Sequence, residues 1–187
     1  MTFEPLPIVG AFLVRSETFA DERGSFARMF CVDEFAAAGL DCAFVQQSIA
    51  RNHRRGTLRG LHLQLPPHAE AKFVRCLAGA MFDVFVDLRA SSPTYLRTAS
   101  VTIDAEHGDA VYIPAGCAHG YQTLADGTDV LYAMTTPYEP SSARVILWSD
   151  PQLAINWPLQ DPMLSPRDAA APTLEAFLAR ERDALAR

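Results

Sequence analysis

Between residues 42 and 136 the chain alternates short β-rich runs with turn signals and leaves no crossover-length helix between any two of them. The runs are "CAFVQQSIA" (42–50), "TLRGLHLQL" (57–65), "KFVRCLAG" (72–79), "AMFDVFVDLR" (80–89), "RTASVTID" (97–104), "DAVYIP" (109–114) and "DVLYAMTT" (129–136). "NHRRG", "LPPHAE", "SSPT", "AEHGD", "PAG" and "ADG" punctuate them. Gly, Pro, Asn and Asp clusters between β-branched and aromatic runs mark turns. Parallel strands need long connections, so such spacing predicts an antiparallel sandwich or barrel.

Two segments depart from that pattern. "VDEFAAAG" (32–39) combines helix-favouring Ala with Gly39 as a stop, which predicts a short helix. The tail "TLEAFLARERDALAR" (173–187) puts Leu174, Phe177, Leu178 and Leu185 on one helical face, predicting an amphipathic helix packed on the barrel or on a partner subunit. With no repeat, linker or low-complexity block, 1–187 reads as a single domain.

The function classes narrow by exclusion. A net charge of -6 argues against a nucleic-acid partner. No apolar run reaches membrane-span length, and the N-terminus lacks a basic leader, so no membrane partner and a cytoplasmic location are expected. Cys31, Cys42, Cys76 and Cys117 show no C-x-x-C spacing, which speaks against a thiolate zinc site. The first three sit among apolar neighbours and read as small core residues. Cys117 lies in a loop-like stretch beside His119, without the basic or helix-terminal context that activates a thiol.

"TLRGLHLQ" (57–64) sets Arg59 and His62 in an otherwise apolar strand. Read alone, it fits a satisfied core pair, a metal site or a proton-transfer site. Gly56 through Gln64, and Gly108 through His119, resemble the two motifs of the cupin superfamily. That resemblance implies an all-β jelly roll, or double-stranded β-helix barrel, here with a short helix near the N-terminus and a C-terminal amphipathic helix. Metal-binding cupins carry His-x-His in the first motif. Here Gln64 replaces the second His, and Glu70 follows at a longer spacing. Gln is a poor ligand for softer transition metals, so no metal is expected.

"DERGSFARMF" (21–30), "VQQSIARNHRRGTLRGLHLQLPPHAEAKFVRC" (45–76), "FDVFVDLRASSPTY" (82–95), "YIPAGCAHGYQTL" (112–124), "LYAMTTPYEP" (131–140), "WSDPQLAINWPL" (148–159) and "LSPRD" (164–168) together resemble, in order, the dTDP-4-dehydrorhamnose 3,5-epimerase family. The resemblance implies epimerisation of a nucleotide-diphosphate 4-keto-6-deoxy sugar at C3, C5 or both. The C4 carbonyl acidifies the neighbouring C–H bonds; a base on one face gives an enolate, and an acid on the other returns the proton inverted. No cofactor is required.

By the same resemblance, His62 would be the base, Asp168 its carboxylate partner, Lys72 the enolate stabiliser and Tyr132 the acid. Arg59 and His119 match substrate-binding positions, Arg59 suiting a diphosphate by its fork. Gln46 and Ser48 belong to the same binding set. Arg23 and Phe26 would reach the nucleotide end across a homodimer interface, Tyr138 would stack on the base, and Arg167 would add to the phosphate site. Asp83 is expected to point into the barrel near the site. The segment "PLPIVGAFLVRSETF" reads as an exchanged or an intramolecular edge strand.

The chain departs from the family at substrate-binding positions: at Arg28, where a Glu is usual, at Ser48, where the family's Gln-x-Asn ends in Asn, at Ala50, where Ser is common, and at Ala143, where Glu is frequent. These departures suggest retained chemistry on a different nucleotide or sugar, a CDP-, GDP- or UDP-linked substrate among them. Two other readings compete: a metal-dependent cupin enzyme and a non-catalytic sugar-binding cupin.

Overall fold

The computed structural model describes residues 1–185, and the apolar runs resolve there into strands joined at the expected turns. In chain order these are β1 (Thr2–Pro5), β2 (Phe12–Arg15), β3 (Thr18–Asp21), β4 (Gly24–Ala27), α1 (Val32–Ala37), β5 (Gln46–Asn52), β6 (Leu58–Gln64), β7 (Lys72–Ala78), β8 (Ala80–Asp87), β9 (Thr98–Asp104), β10 (Ala110–Ile113), β11 (Cys117–Thr123), β12 (Thr128–Met134), β13 (Ala143–Val145), α2 (Pro166–Ala169) and α3 (Leu174–Leu185). One sheet runs β1-β2-β10-β7-β12-β5 and the facing sheet β13-β6-β11-β8-β9, with every neighbour antiparallel. The result is the expected jelly roll. Among the described residues no helix is long and apolar enough to cross a membrane.

Three apolar layers hold the sheets. Leu13, Val74, Cys76, Met81, Phe85, Val111, Ile113, Tyr121 and Val130 fill the space between them. Phe35 of α1 packs outside the six-stranded sheet against Phe3, Phe73 and Tyr112. Leu61, Leu63, Val84, Val86 and Ala118 are covered outside the other sheet by Trp157 and by Leu174 and Phe177 of α3. Burial on both faces accounts for strands that read as apolar runs rather than strict alternations.

Several boundaries differ from the sequence reading. The run at 42–50 becomes β5 at Gln46–Asn52, because Cys42 and Phe44 turn aside to pack with α1. Cys31 and Cys42 are half-buried rather than core, since both flank that surface helix. Cys117 lies in no loop: it opens β11, fully buried, a strand the sequence reading passed over. β3 and β4 form a separate hairpin that was also not expected. β1 and β2 pair within the chain. Of the predicted terminal helix, 174–185 is helical, and 186–187 lie outside the described residues.

Candidate active site

Strand periodicity puts the site at one end of the barrel interior. Side chains two apart along a strand share a face. On the six-stranded sheet, Gln46, Ser48 and Ala50 of β5, Lys72, Val74 and Cys76 of β7, and Val130, Tyr132 and Met134 of β12 therefore point inward together. The register aligns Ser48 with Tyr132 and Val74, and Gln46 with Met134 and Lys72. Along β5 and β7 these inward positions thus pass from apolar or small to polar, and β12 adds Tyr132 next to that end. The polar end opens into a cavity of about 410 Å³.

The facing sheet contributes through β6 and β11, where His62 sits opposite His119 and Arg59 opposite Tyr121. Arg59 and His62 are three apart and would lie on opposite faces of a regular strand. The ladder slips between His119 and Tyr121, placing one extra residue in β6 and returning both side chains to the interior. Gly60, at φ +136°, occupies that slip. A Cβ on Gly60 would lie 2.5 Å from the Gly120 Cα, and one on Gly120 would lie 2.7 Å from the Arg59 carbonyl oxygen. Both glycines are required by this close approach.

The polar groups are organised in pairs. His62 Nε2 lies 2.6 Å from Asp168 Oδ1. Asp168 is 3% exposed and arrives on α2, whose Ser165 cap accepts a hydrogen bond from the Asp168 backbone N–H. Burial pushes the Asp168 carboxyl up, but His62 and Ser165 outweigh it and hold the group below its usual range. His119 Nε2 lies 2.6 Å from Asp83 Oδ1, both buried, so Asp83 does point into the barrel. Lys72 Nζ meets Glu70 Oε1 at 2.6 Å. Arg59 donates from Nε to Asn52 Oδ1 at 2.9 Å, which aims its guanidinium. Burial pushes the Tyr132 hydroxyl well above its usual range, with the Tyr121 and Asp83 charges adding to the effect, so it stays protonated.

Tyr138 is exposed at the mouth, its backbone N–H donating to Gln46 Oε1 at 3.0 Å. Arg167 lines the same mouth, as does Arg144, which the sequence reading missed. Arg144 Nε donates to Glu181 Oε1 of α3 at 2.7 Å. No motif marks Arg144; only its neighbour Ala143, flagged as a departure, drew notice to the segment.

Of the predicted residues, the cavity is lined by His62, Lys72, Tyr132, Arg59, His119, Gln46, Ser48, Tyr138 and Arg167, and Asp168 stands behind His62. Arg23, Phe26 and Arg28 are not among the lining residues. Arg23 and Phe26 sit on the β3–β4 hairpin, where Phe26 is 73% exposed and Arg23 pairs with Asp21. Arg28 pairs with Glu34 of α1.

The donor set does not fit a metal. Gln64 gives its amide N–H groups to the carbonyls of His68 and Pro137 and accepts from the Glu139 N–H, so its amide is committed to the backbone around it. Among the described residues no three His, Cys, Asp or Glu side chains gather as a cation site. Burial pushes the Cys117 thiol up to about 12, which removes it as a nucleophile near neutral pH.

Comparison with known proteins gives a consistent answer. The family model described as dTDP-4-dehydrorhamnose 3,5-epimerase matches residues 5–176. The dTDP-4-dehydrorhamnose 3,5-epimerase of Sinorhizobium fredii is 41% identical over 175 residues, covering 93% of this chain and 90% of the relative. The dTDP-4-dehydrorhamnose 3-epimerase of Streptomyces niveus is 38% identical over 185 residues, covering 98% and 87%. The solved rmlC epimerase of Mycobacterium tuberculosis superposes with a TM-score of 0.92 at 38% identity, covering 96% of this chain and 92% of that one.

Proposed function

This chain belongs to the dTDP-4-dehydrorhamnose 3,5-epimerase family, and from that premise we propose how its residues divide the work. It is an isomerase that epimerises a nucleotide-linked 4-keto-6-deoxy sugar at C3, C5 or both. His62 is the base, and Tyr132 the acid. The supporting observation is that they project from opposite sheets into one cavity, so a ring between them meets one on each face.

His62 removes the proton next to the carbonyl. Asp168 positions the imidazole and stabilises the imidazolium. Lys72 faces the enolate oxygen, whose charge a fixed cation stabilises most where water is excluded. Tyr132, held protonated by burial, delivers a proton to the other face and leaves inverted carbon. The cycle closes when Tyr132 is reprotonated and His62 released, with no redox change. Arg59 and Arg167 seat the diphosphate, Arg144 extends that seat, and Tyr138 stacks on the base at the mouth.

The protein works as a cytoplasmic homodimer in this reading. The exposed Phe19 and Phe26 of the β3–β4 hairpin, together with the apolar Val45 and Ile49 beside or on the edge strand β5, form a surface that a second copy would cover. Arg23 and Phe26 then belong to the partner's site, in keeping with their absence from the lining of this chain's own cavity. Arg28, spent on Glu34, leaves Ser48, Ala50 and Ala143 as the departures that line the cavity. Turnover of dTDP-, CDP-, GDP- and UDP-linked 4-keto sugars measures their effect, and a clear dTDP preference rules out altered base recognition. Solvent-deuterium exchange read by NMR counts the carbons at which the proton is exchanged; no exchange at either carbon refutes the epimerase assignment.

A further inference from the structure

The cavity that takes a diphosphate is lined by Arg59, Lys72, Arg144 and Arg167, and among the described residues by one acid, Glu70. A carboxylate is out of place in an anion site. Glu70 is 6% exposed, and its Oε2 has no hydrogen-bond partner. Its Oε1 is held by Lys72 alone, in the 2.6 Å pair. A buried carboxylate oxygen with no donor is costly to keep, and nothing else in the packing uses it.

Building on the proposed division of roles, we propose that Glu70 is a specificity residue that excludes phosphate from the catalytic end of the cavity. An unopposed lysine in a cationic pocket is a good phosphate seat, and a substrate bound with its phosphates on Lys72 would hold its diphosphate, not its sugar carbonyl, where the enolate must form. The ion pair makes the Lys72 end neutral at long range while leaving two ammonium N–H donors free at short range. A dianionic diphosphate is therefore steered to Arg59, Arg144 and Arg167. A carbonyl oxygen, which gains charge only as the proton leaves, still finds its donor. Glu70 also restrains the ammonium, so the same contact positions Lys72 toward the reacting end.

The test is inorganic pyrophosphate binding, measured by calorimetry at fixed ionic strength on wild type, Glu70→Gln, Lys72→Gln and the double variant. Removing one charge near a dianion in a half-screened cavity changes affinity about tenfold. E70Q binds pyrophosphate about tenfold tighter, K72Q about tenfold weaker, and the double variant returns to within about twofold of wild type. General damage to the site weakens binding, so the tightening in E70Q distinguishes charge from structure. If E70Q does not fold, Glu70→Ala takes its place with the same tightening expected. Pyrophosphate affinity unchanged or weakened in E70Q, or in E70A where that is the arm used, overturns the proposal. Solvent-deuterium exchange on wild type is run in parallel. No exchange together with tightening in E70Q sinks the epimerase assignment and leaves the electrostatic role of Glu70 standing.

Discussion

Replacing Asp168 with Asn removes one charge behind His62 and little else. The amide matches the carboxylate in shape, and its oxygen can still accept from the imidazole. What disappears is the negative charge 2.6 Å from Nε2 when His62 takes up the substrate proton. With charge centres about 4 Å apart and an effective dielectric of about 20, that interaction is about 4 kcal/mol. If all of it acts in the transition state, the rate falls about a thousandfold. Asp168 does not line the cavity, so KM should stay within about threefold. The assay is deuterium uptake at C3 and C5 from D2O, followed by NMR alongside product formation. A kcat within tenfold of wild type would refute the dyad reasoning. There is a stability counterpart. The Asp168 carboxyl is held below its usual range, so its contribution is present above the ordinary carboxylate range and lost as pH falls through the lowered value. D168N and wild type should therefore converge in stability on acidification.

Four further outcomes are expected. Tyr132→Phe should cut epimerised product at least about a hundredfold while His62-dependent deuterium exchange into recovered substrate persists; loss of both together would reassign Tyr132. Burial pushes the Asp87 carboxyl up, but hydrogen bonds from Arg89, Ser92 and Thr94 outweigh it and bring it down to about 2 from an ordinary value of 3.8. That depression contributes about 2 kcal/mol above pH 4, lost as pH falls through about 2, so acid unfolding of Asp87→Asn should lack that share of the wild-type slope. Cys117 should resist alkylation at pH 8 in the folded protein and react on unfolding, and Cys117→Ala should keep its activity. Gly60→Ala should lose about 3 kcal/mol, roughly 10 °C in Tm, because its Cβ meets backbone rather than a movable side chain.

Much of the barrel was legible because its turns are chemically explicit. Gly, Pro and Asx clusters bound β6 to β10, and those strands fall where the apolar runs put them. β11 was not legible, because "CAHGYQT" is buried on both faces and shows no alternation, and it contains Gly120 for a close approach rather than for a turn. The β3–β4 hairpin, with no core face, carries no apolar pattern at all. At the site, His62, Lys72 and Tyr132 came from family resemblance and are gathered by strand register, a long-range property that no local window contains. Arg144 and the Asn52 side-chain amide that aims Arg59 were missed for the same reason: their importance comes from residues that only the fold brings beside them. The pairing of Glu70 with Lys72 was open to inspection as a two-residue spacing, yet only burial shows that it has no alternative partner.

The imidazole and its carboxylate are separated by 106 residues, and the carboxylate belongs to a segment laid over the outside of the barrel after its last strand. During synthesis every strand of the barrel therefore leaves the ribosome before the base can be completed. A nascent or clipped chain ending at residue 150 would own the lysine and the tyrosine, but it would lack Arg167 at the cavity mouth and its histidine would have no counter-charge. Docking of α2 thus acts as a final assembly check: the protein gains its base only when the covering segment is home.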